Sequence, residues 1–238
     1  MVEKYTEDFE FFWSKIKNFE NFSFVRYADG EVMLIKGLPV GTATQAYQID
    51  KWYSSENTLA GKDLLEGLKI YDNNYYFAIS SKSDNISDYE FLVNNINNTN
   101  NLTFANLWIN ANYSKNLEKI KSLEREVVLI CNEKCHLDKI PFKVKEFLPF
   151  YDDCVNFWET NKSDYSEKLK NISSKYKNTL FVVCCGPLSA VIINIMFNTN
   201  YNNTYIDFGS SLDIFIHNKT TRPYMDEDSQ YHNHISKF

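Results

Sequence analysis

The sequence has few glycines and prolines and no segment with the composition of a linker. Only seven of its 238 residues are glycine and five are proline, and no Pro-, Gly- or Ser-rich stretch interrupts the middle of the chain. The chain is 44% hydrophobic, which suits one domain with a full core. We therefore predict a single domain over residues 1–238, with a polar C-terminal tail from about residue 217.

An excess of positive charge is also missing. The chain carries 25 lysines and arginines against 31 acidic residues, a net charge of −6, and no Lys/Arg-rich run breaks this balance. We therefore expect no nucleic-acid partner. No stretch approaches about 18 uninterrupted apolar residues, and the N-terminus lacks the apolar region of a signal peptide. These absences predict a cytoplasmic protein without a membrane span.

The five cysteines are odd in number and irregularly spaced. This pattern favours buried thiols over a disulfide framework. Cys184 and Cys185 end an apolar run with no marked base nearby, so we interpret them as core residues rather than nucleophiles.

Segments with strand character alternate with segments of helical periodicity along most of the chain. Strands are predicted over 22–27, 75–79, 102–105, 127–131, 180–185 and 205–208. Helices are predicted over 31–35, 59–68, 116–123, 152–177 (with a break near Asn161) and 188–197, after a first helix marked by Phe9, Phe12, Trp13 and Ile16. This alternation predicts an α/β fold, a mostly parallel sheet with helices on both faces.

Three glycines of this glycine-poor chain come directly after predicted strands: Gly30, Gly186 and Gly209. In parallel α/β sheets, ligands bind beyond the carboxyl ends of the strands. We therefore expect the segments around these glycines to share one site.

The first segment, 24–31, reads FVRYADGE. Asp29 and Glu31 flank Gly30 where a strand turns into a helix. Two oxygen ligands with open positions suit Mg²⁺ or Mn²⁺, which usually keep water and substrate phosphates in their other positions. Arg26 is suited to pair with a carboxylate or a phosphate. The alternative is structural: Asp29 caps the helix and Glu31 stabilises its first turn.

The second segment, 185–189, reads CGPLS. Gly186 and Pro187 lead from a strand into a helix, so backbone N–H groups could hold a phosphate there, with Ser189 adding its hydroxyl. An ordinary strand–helix turn explains the same residues.

The third segment, 205–213, reads YIDFGSSLD. Asp207 ends a predicted strand, Gly209 and Ser210 begin a turn, and Asp213 follows. An aspartate here could orient a sugar hydroxyl, assist a metal or act as a base. Capping by a serine, with Asp213 in solvent, remains the alternative. Further weak candidates are Arg222 for a phosphate, and three aromatic residues for stacking, for which core packing is the default: Trp52, Trp108 and Tyr113.

Segments 24–31, 186–189 and 203–213 together resemble the GT-D-type glycosyltransferases, a bacterial family long described as a domain of unknown function. The similarity runs in order from about Phe22 to Tyr224, and the first and third segments are the specific ones. Ala28 stands where the family pattern has glycine, a change that removes no ligand.

The resemblance implies a single Rossmann-like domain, a nucleotide-sugar donor such as UDP-glucose, and a divalent metal, commonly Mn²⁺. The family's Asp-X-Glu metal motif matches Asp29 and Glu31, and its preceding arginine matches Arg26. Its Thr-Arg element matches Thr221 and Arg222.

We therefore hypothesise a metal-dependent glycosyltransferase that moves glucose or a related hexose from a UDP-sugar to a glycan or lipid-linked glycan acceptor. The product would belong to a bacterial surface polysaccharide or glycoprotein. Asp213 or Asp207 would be the base, and a homodimer would be unsurprising. Two alternatives remain open: a metal-dependent phosphohydrolase of a nucleotide-type substrate, and a non-catalytic nucleotide-sugar-binding module. A methyltransferase fits less well, because the first strand lacks a glycine-rich turn.

Overall fold

The computed structural model describes residues 2–38 and 58–238. Strands in these ranges are β1 (Ser23–Tyr27), β2 (Tyr75–Ile79), β3 (Leu102–Phe104), β4 (Val127–Asn132), β5 (Val144–Phe150), β6 (Leu180–Cys184) and β7 (Thr204–Asp207). They form one sheet in the order β3-β2-β1-β7-β6-β4-β5, and all neighbouring pairs are parallel. The first and last strands of the chain therefore lie side by side in the middle of the sheet.

The helices cover both faces of this sheet. They are α1 (Val2–Lys17), α2 (Asp29–Ile35), α3 (Leu59–Gly67), α4 (Ile86–Asn95), α5 (Tyr113–Lys121), α6 (Cys154–Lys175), α7 (Ser189–Thr199) and α8 (Asp213–Ile216). Two separate cores result, because neighbouring side chains of a strand point to opposite faces. Val25 and Phe181 belong to the core under α3, α6 and α7, whereas Phe24 and Val182 belong to the core under α1. The predicted α/β class, with its parallel sheet and two helical layers, is confirmed.

Strand β5 was not predicted from the sequence. Its segment contains Lys145, Glu146 and Pro149, which disfavour an interior strand. β5 is the edge strand of the sheet and is only partly buried along most of its length. An edge strand tolerates proline and charge, because one side of its backbone pairs with no neighbour.

Two helices also differ from the prediction. Helix α4 was not predicted; it begins after Asn85, whose side chain accepts a hydrogen bond from the N–H of Asp88 at 3.2 Å. Helix α6 continues through Asn161, where a break was expected. The exposed Asn161 side chain donates to the carbonyl of Phe157 at 3.0 Å, so its amide is satisfied within the helix.

The C-terminal segment after α8 packs against the body of the domain. Phe238 stacks on Phe104 with ring centroids 4.2 Å apart, and Nε2 of His234 lies 2.8 Å from the carboxylate of Asp84. An aromatic stack and a polar contact therefore hold the last residues of the chain against the domain. None of the helices in the described ranges is both long and apolar enough to cross a bilayer.

Candidate active site

A cleft opens beyond the carboxyl ends of five neighbouring strands, β1, β7, β6, β4 and β5. Its lining consists of Arg26, Ala28, Asp29, Gly30, Glu31, Asn132, Phe150, Tyr151, Asp152, Cys154, Cys184, Cys185, Gly186, Gly209, Ser210, Asp213, His217 and Arg222. Four strand spacings separate β1 from β5, so the cleft spans roughly 19 Å. We define the β1 end of the cleft as Arg26, Asp29 and Glu31. We define the β5 end as Asn132, Tyr151 and Asp152.

Most of the site residues predicted from the sequence meet in this cleft. Those that line it are Arg26, Asp29, Gly30, Glu31, Gly186, Gly209, Ser210, Asp213 and Arg222. Pro187, Ser189 and Asp207 lie behind the lining. The expectation that the three glycine turns share one site therefore agrees with the geometry.

At the β1 end, the turn from β1 into α2 is closed by Glu31. Its Oε2 accepts a hydrogen bond of 2.7 Å from the N–H of Ala28, which is the half of a capping box that the third helical residue supplies. Glu31 is 9% exposed, whereas Asp29, the first helical residue, is exposed. The structural role foreseen for Glu31 in the first turn of the helix is thus present.

Burial raises the pKa of Glu31 to about 7, although Arg26 and the N–H of Ala28 act in the opposite direction. The nearby Asp207 adds to the rise. Because the shift is upward overall, the positive charge of Arg26 does not fully offset the cost of burying this carboxylate. A further cation near Glu31 would favour its ionised form.

Arg26 is held in place by two neighbouring turns. Its Nε donates to the carbonyl of Ala105 at 2.8 Å, and its guanidinium lies against Gly209. A Cβ at Gly209 would lie 1.5 Å from Nη1 of Arg26, and the backbone of Gly209 has φ of +53°. Position 209 therefore requires glycine for two independent reasons.

Asp207 supports this arrangement from below the cleft. It is 2% exposed, and its Oδ1 accepts a hydrogen bond of 2.7 Å from the N–H of Gly209. Burial raises the pKa of Asp207 to about 6, against the lowering effect of Arg26. Asp207 therefore positions the Gly209 turn and adds negative charge beneath Arg26.

The turn after β6 uses its polar groups internally. Ser189 is fully buried, and its Oγ accepts a hydrogen bond of 2.9 Å from the N–H of Cys185. Pro187 pairs with Cys185 in an isolated bridge. In this arrangement, Cys185 and Gly186 are the residues of the turn that line the cleft. The Ser189 hydroxyl holds the backbone of the turn and also hydrogen-bonds to Asp207, which lowers the pKa of that carboxyl.

Asp213, Ser210 and Arg222 meet near the start of the C-terminal segment. The Asp213 carboxylate accepts a hydrogen bond of 2.7 Å from Oγ1 of Thr221, and Asp213 is 8% exposed. Oγ of Ser210 lies 2.7 Å from the hydroxyl of Tyr224. Nη1 of Arg222 lies 3.2 Å from the carbonyl of Thr221. Helix α8 thus brings a carboxylate to the cleft, and the C-terminal segment after it brings a cation.

The donor set at the β1 end fits a divalent cation that is shared with a substrate. Asp29 and Glu31 offer hard carboxylate oxygens, and the raised pKa of Glu31 marks a buried charge that lacks full compensation. In residues 2–38 and 58–238, no group of three or more His, Cys, Asp or Glu side chains could hold a metal ion by itself. Two carboxylates leave positions for water and phosphate oxygens, as Mg²⁺ and Mn²⁺ prefer.

Sequence reasoning missed the β5 end of the cleft. Tyr151 and Asp152 follow directly after β5, and Asn132 ends β4. Ligands bind beyond the carboxyl ends of parallel strands. Because the segment of β5 has no clear strand pattern, the sequence does not mark the turn after it as such a position. The signal was present as a Tyr-Asp pair after an aromatic residue, ahead of the long helix α6.

The weaker candidates fall elsewhere. Trp108 is 1% and Tyr113 is 3% exposed, so both are core residues, whereas Trp52 lies outside the described residues. Cys184 lines the cleft, but burial raises the pKa of its thiol well above the usual value. A thiol that stays protonated is a poor nucleophile, as expected from the sequence.

Two solved structures share the fold. One is described as showing that the highly conserved domain of unknown function 1792 has a distinct glycosyltransferase fold; the likeness has a TM-score of 0.57 at 15% identity and covers 89% of this chain and 80% of that one. The other is a selenomethionine-substituted structure of domain of unknown function 1792, with a TM-score of 0.57 at 17% identity over the same shares.

Comparison with protein-family models gives no match. Comparison with curated proteins gives none either. At 15% and 17% identity, the similarity to these structures shows the fold alone. The resemblance to the GT-D type is therefore confirmed at that level: this chain has the distinct glycosyltransferase fold of domain of unknown function 1792.

Proposed function

We propose that this protein is a metal-dependent glycosyltransferase that moves a hexose from a UDP-sugar to a hydroxyl group of a glycan or lipid-linked glycan. The observation that carries the proposal is the β1 end of the cleft. There, Asp29 and the buried Glu31 face the same space as Arg26, on a fold shared with a glycosyltransferase-fold domain. Carboxylates on their own repel a diphosphate. With a bound cation they can contribute to binding the diphosphate, because the cation attracts both.

In this mechanism, Asp29 and Glu31 would hold Mn²⁺ or Mg²⁺, which would supply positive charge against the diphosphate and the departing nucleotide. Arg26, held by Ala105 and Gly209, adds a fixed positive charge on the same side. Arg222 adds a second one from the C-terminal segment. Such preorganised charges lower the barrier because they need no reorientation as negative charge develops on the leaving group.

Asp213 is the better of the two base candidates, because it lines the cleft whereas Asp207 lies behind the lining. In the reaction, the acceptor hydroxyl forms a bond to the anomeric carbon and its proton passes to Asp213. The bond between the anomeric carbon and the phosphate oxygen breaks, and UDP leaves with the electron pair. Thr221, which donates to Asp213 at 2.7 Å, holds the carboxylate in position. Asp207 positions Gly209 and, through it, Arg26.

The test is calorimetric titration with UDP and UDP-glucose, each in Mn²⁺ and in EDTA. We expect binding that depends on the metal and is lost in Asp29→Asn. Asp138→Asn is the matched control, because Asp138 is also an exposed aspartate and lies outside the cleft. Metal-independent binding, or a folded Asp29→Asn protein that binds normally, would contradict the metal role. Hydrolysis of UDP-glucose at one rate with and without acceptor would favour the phosphohydrolase.

A further inference from the structure

The β5 end of the cleft has a built polar and aromatic surface that the mechanism above leaves unused. Asn132, Tyr151 and Asp152 line it. They lie three to four strand positions from the β1 end in the sheet order, a separation of roughly 14 to 19 Å. A ligand whose diphosphate lies at the β1 end would therefore reach this surface with a different part of its structure, or a second ligand would occupy it.

Tyr151 presents a supported aromatic ring. It packs on Phe157 of α6 with ring centroids 4.5 Å apart and an interplanar angle of 37°. Phe157 is itself held by Phe150, at 5.3 Å between centroids. Tyr151 nevertheless remains 40% exposed. A ring that is fixed by its neighbours and still accessible can bind the apolar face of a ligand at little cost in side-chain entropy.

Asp152 supplies hydrogen-bond acceptors next to that ring. Its carboxylate receives hydrogen bonds from the Asn132 side-chain amide and from Nζ of Lys134. Partial burial raises the pKa of Asp152, but the hydrogen bonds from Lys134 and Asn132 and the charges of Lys134 and His217 outweigh it, so the net shift is downward. Asp152 is therefore ionised at neutral pH and can only accept hydrogen bonds. The ammonium of Lys134 is a donor beside it.

An acceptor next to a donor, beside an aromatic ring, matches the chemistry of a sugar. Vicinal hydroxyls donate to a carboxylate and accept from an ammonium, while the C–H face of a pyranose packs on an aromatic ring. The Asn132 amide, which lines this surface, offers the hydrogen-bonding edge of a nucleobase no free donor–acceptor pair. Both ends of the Asn132 amide are engaged: Nδ2 donates to Asp152, and Oδ1 accepts from the N–H of Lys134 at 2.8 Å.

We infer that Tyr151 and Asp152 form a pyranose-binding subsite at the β5 end of the cleft. This inference rests on the proposed function for the identity of the reaction, but the recognition chemistry belongs to these residues alone. The anomeric carbon of a donor sugar is bonded directly to the diphosphate, so the donor sugar lies close to the β1 end. A pyranose roughly 14 to 19 Å away, at the β5 end, is therefore a sugar of the acceptor.

The test compares Tyr151→Ala and Asp152→Asn with matched controls. Tyr71→Ala removes a tyrosine that is 70% exposed outside the cleft. Glu146→Gln breaks a similar carboxylate–lysine pair, with Lys175 at 2.6 Å, on β5 but outside the cleft. Tyr151→Phe keeps the ring and should keep binding. Calorimetry in the presence of Mn²⁺ measures the affinity of each variant for UDP and for UDP-glucose. Saturation-transfer NMR measures methyl glycosides of glucose, galactose and N-acetylglucosamine, with and without UDP and Mn²⁺.

One outcome supports the subsite. In both variants UDP and UDP-glucose bind with wild-type affinity, and the saturation-transfer signals of the methyl glycosides disappear, as expected for a loss on the order of tenfold in an already weak affinity. Tyr71→Ala and Glu146→Gln should change neither measurement.

Three other outcomes overturn it. Equal weakening of UDP and UDP-glucose in the variants would identify a nucleobase site. Weakening of UDP-glucose alone would show that these residues contact the donor sugar. Unchanged binding of UDP-glucose and of every methyl glycoside would show that these residues bind no sugar. Failure of wild-type protein to bind UDP is a separate result: it contradicts the proposed function, whereas the glycoside measurements without UDP still decide the subsite.

Discussion

The two ends of the cleft hold carboxylates in opposite electrostatic states. Glu31 at the β1 end is 9% exposed, and burial raises its pKa to about 7. The side chain of Asp152 at the β5 end is 48% exposed and ion-paired with Lys134, and its pKa is lowered. The β1 end therefore retains an uncompensated buried charge, whereas the β5 end is already neutralised by its own lysine.

This difference separates the tasks that the two ends can perform. A buried carboxylate whose charge is only partly compensated favours the binding of a cation. The unfavourable desolvation of that carboxylate has already occurred during folding, so it does not oppose cation binding. A carboxylate that is paired and hydrated gains little from a cation, but it can exchange water for ligand hydroxyls. The β1 end thus suits a metal and a diphosphate, and the β5 end suits a neutral polar ring.

The largest expected effect comes from removing the charge of Glu31. Glu31→Gln keeps the shape of the side chain and an oxygen that can accept from Ala28, but it removes one anionic ligand. We expect metal-dependent affinity for UDP-glucose to fall on the order of 100-fold or more, since even indirect supports of metal ligands contribute 10- to 100-fold. Calorimetry in Mn²⁺ measures this loss.

The matched control for Glu31→Gln is Glu66→Gln, since Glu66 is an exposed glutamate on α3 that pairs with Lys69 at 2.5 Å. It should bind as the wild type does. Unfolding of Glu31→Gln in EDTA should require more denaturant at pH 8, because the variant no longer buries a charge. A folded Glu31→Gln protein that keeps wild-type, metal-dependent affinity would show that Glu31 is only a helix-capping residue.

Gly209→Ala is expected to have the next largest effect. The added Cβ would lie 1.5 Å from Nη1 of Arg26, at a residue with φ of +53°, so Arg26 must move and the backbone is strained by about 1–2 kcal/mol. We expect affinity for UDP-glucose to fall on the order of tenfold, together with a loss of stability. Calorimetry and denaturant unfolding measure the two losses.

Gly67→Ala separates the two consequences of Gly209→Ala. Its Cβ would lie 2.4 Å from the hydroxyl of Tyr27, so it too should destabilise the fold, but Gly67 lies outside the cleft lining. We expect it to leave affinity unchanged at temperatures where it stays folded. If Gly209→Ala binds as tightly as Gly67→Ala, Arg26 does not act at the β1 end.

The sequence predicted the β1 end well and the β5 end poorly, for reasons that concern the strands beneath them. β1 lies in the middle of the sheet, and its residues are almost all buried, so its apolar pattern is strong and its turn stands out. β5 is an edge strand with a proline and two charged residues. Edge strands have a weak hydrophobic sequence pattern because part of their surface faces water. The turn after such a strand is therefore hard to recognise from the sequence.

Roles within the turns were harder to predict than their position. Asp207 and Asp213 both appeared as bases in the same segment, yet Asp213 lines the cleft and Asp207 does not. Ser189 appeared as a phosphate ligand, yet its hydroxyl is bonded to the backbone N–H of Cys185. The three-dimensional geometry of a turn decides which polar side chain hydrogen-bonds to the backbone. The spacing of residues along the chain does not reveal this geometry.

The pH dependence of stability offers a third test of the β1 end. Glu31 and Asp207 have raised pKa values of about 7 and about 6, so between about pH 4 and pH 7 the native state binds protons that the unfolded chain has lost. The free energy of unfolding should therefore fall as the pH rises through this range. We expect the Glu31 contribution to be about 3 kcal/mol, because its pKa rises from 4.5 to about 7 and each unit corresponds to about 1.4 kcal/mol.

Urea unfolding in EDTA at pH 4.5 and pH 7.5 measures this dependence. The comparison is between the wild type and Glu31→Gln, because titrating groups that do not interact with Glu31 contribute equally to both. The variant should show a smaller fall in stability across the range. The same fall in both proteins would mean that Glu31 titrates near its ordinary pKa and is not desolvated by the fold.

The smallest expected effect is the stability change in Asp152→Asn. Its ion pair with Lys134 is formed by side chains that are 48% and 69% exposed, and exposed pairs contribute little, so the loss should be at most about 1 kcal/mol and smaller in high salt. Asp88→Asn is the comparison. The side chain of Asp88 is 11% exposed, and it receives hydrogen bonds from Asn85 and Lys36 at 2.8 and 3.4 Å. Asp88→Asn should lower the free energy of unfolding in urea by more than Asp152→Asn does. If Asp152→Asn proves the more damaging of the two, the β5 end serves the fold rather than a ligand, and the contrast between the two ends of the cleft disappears.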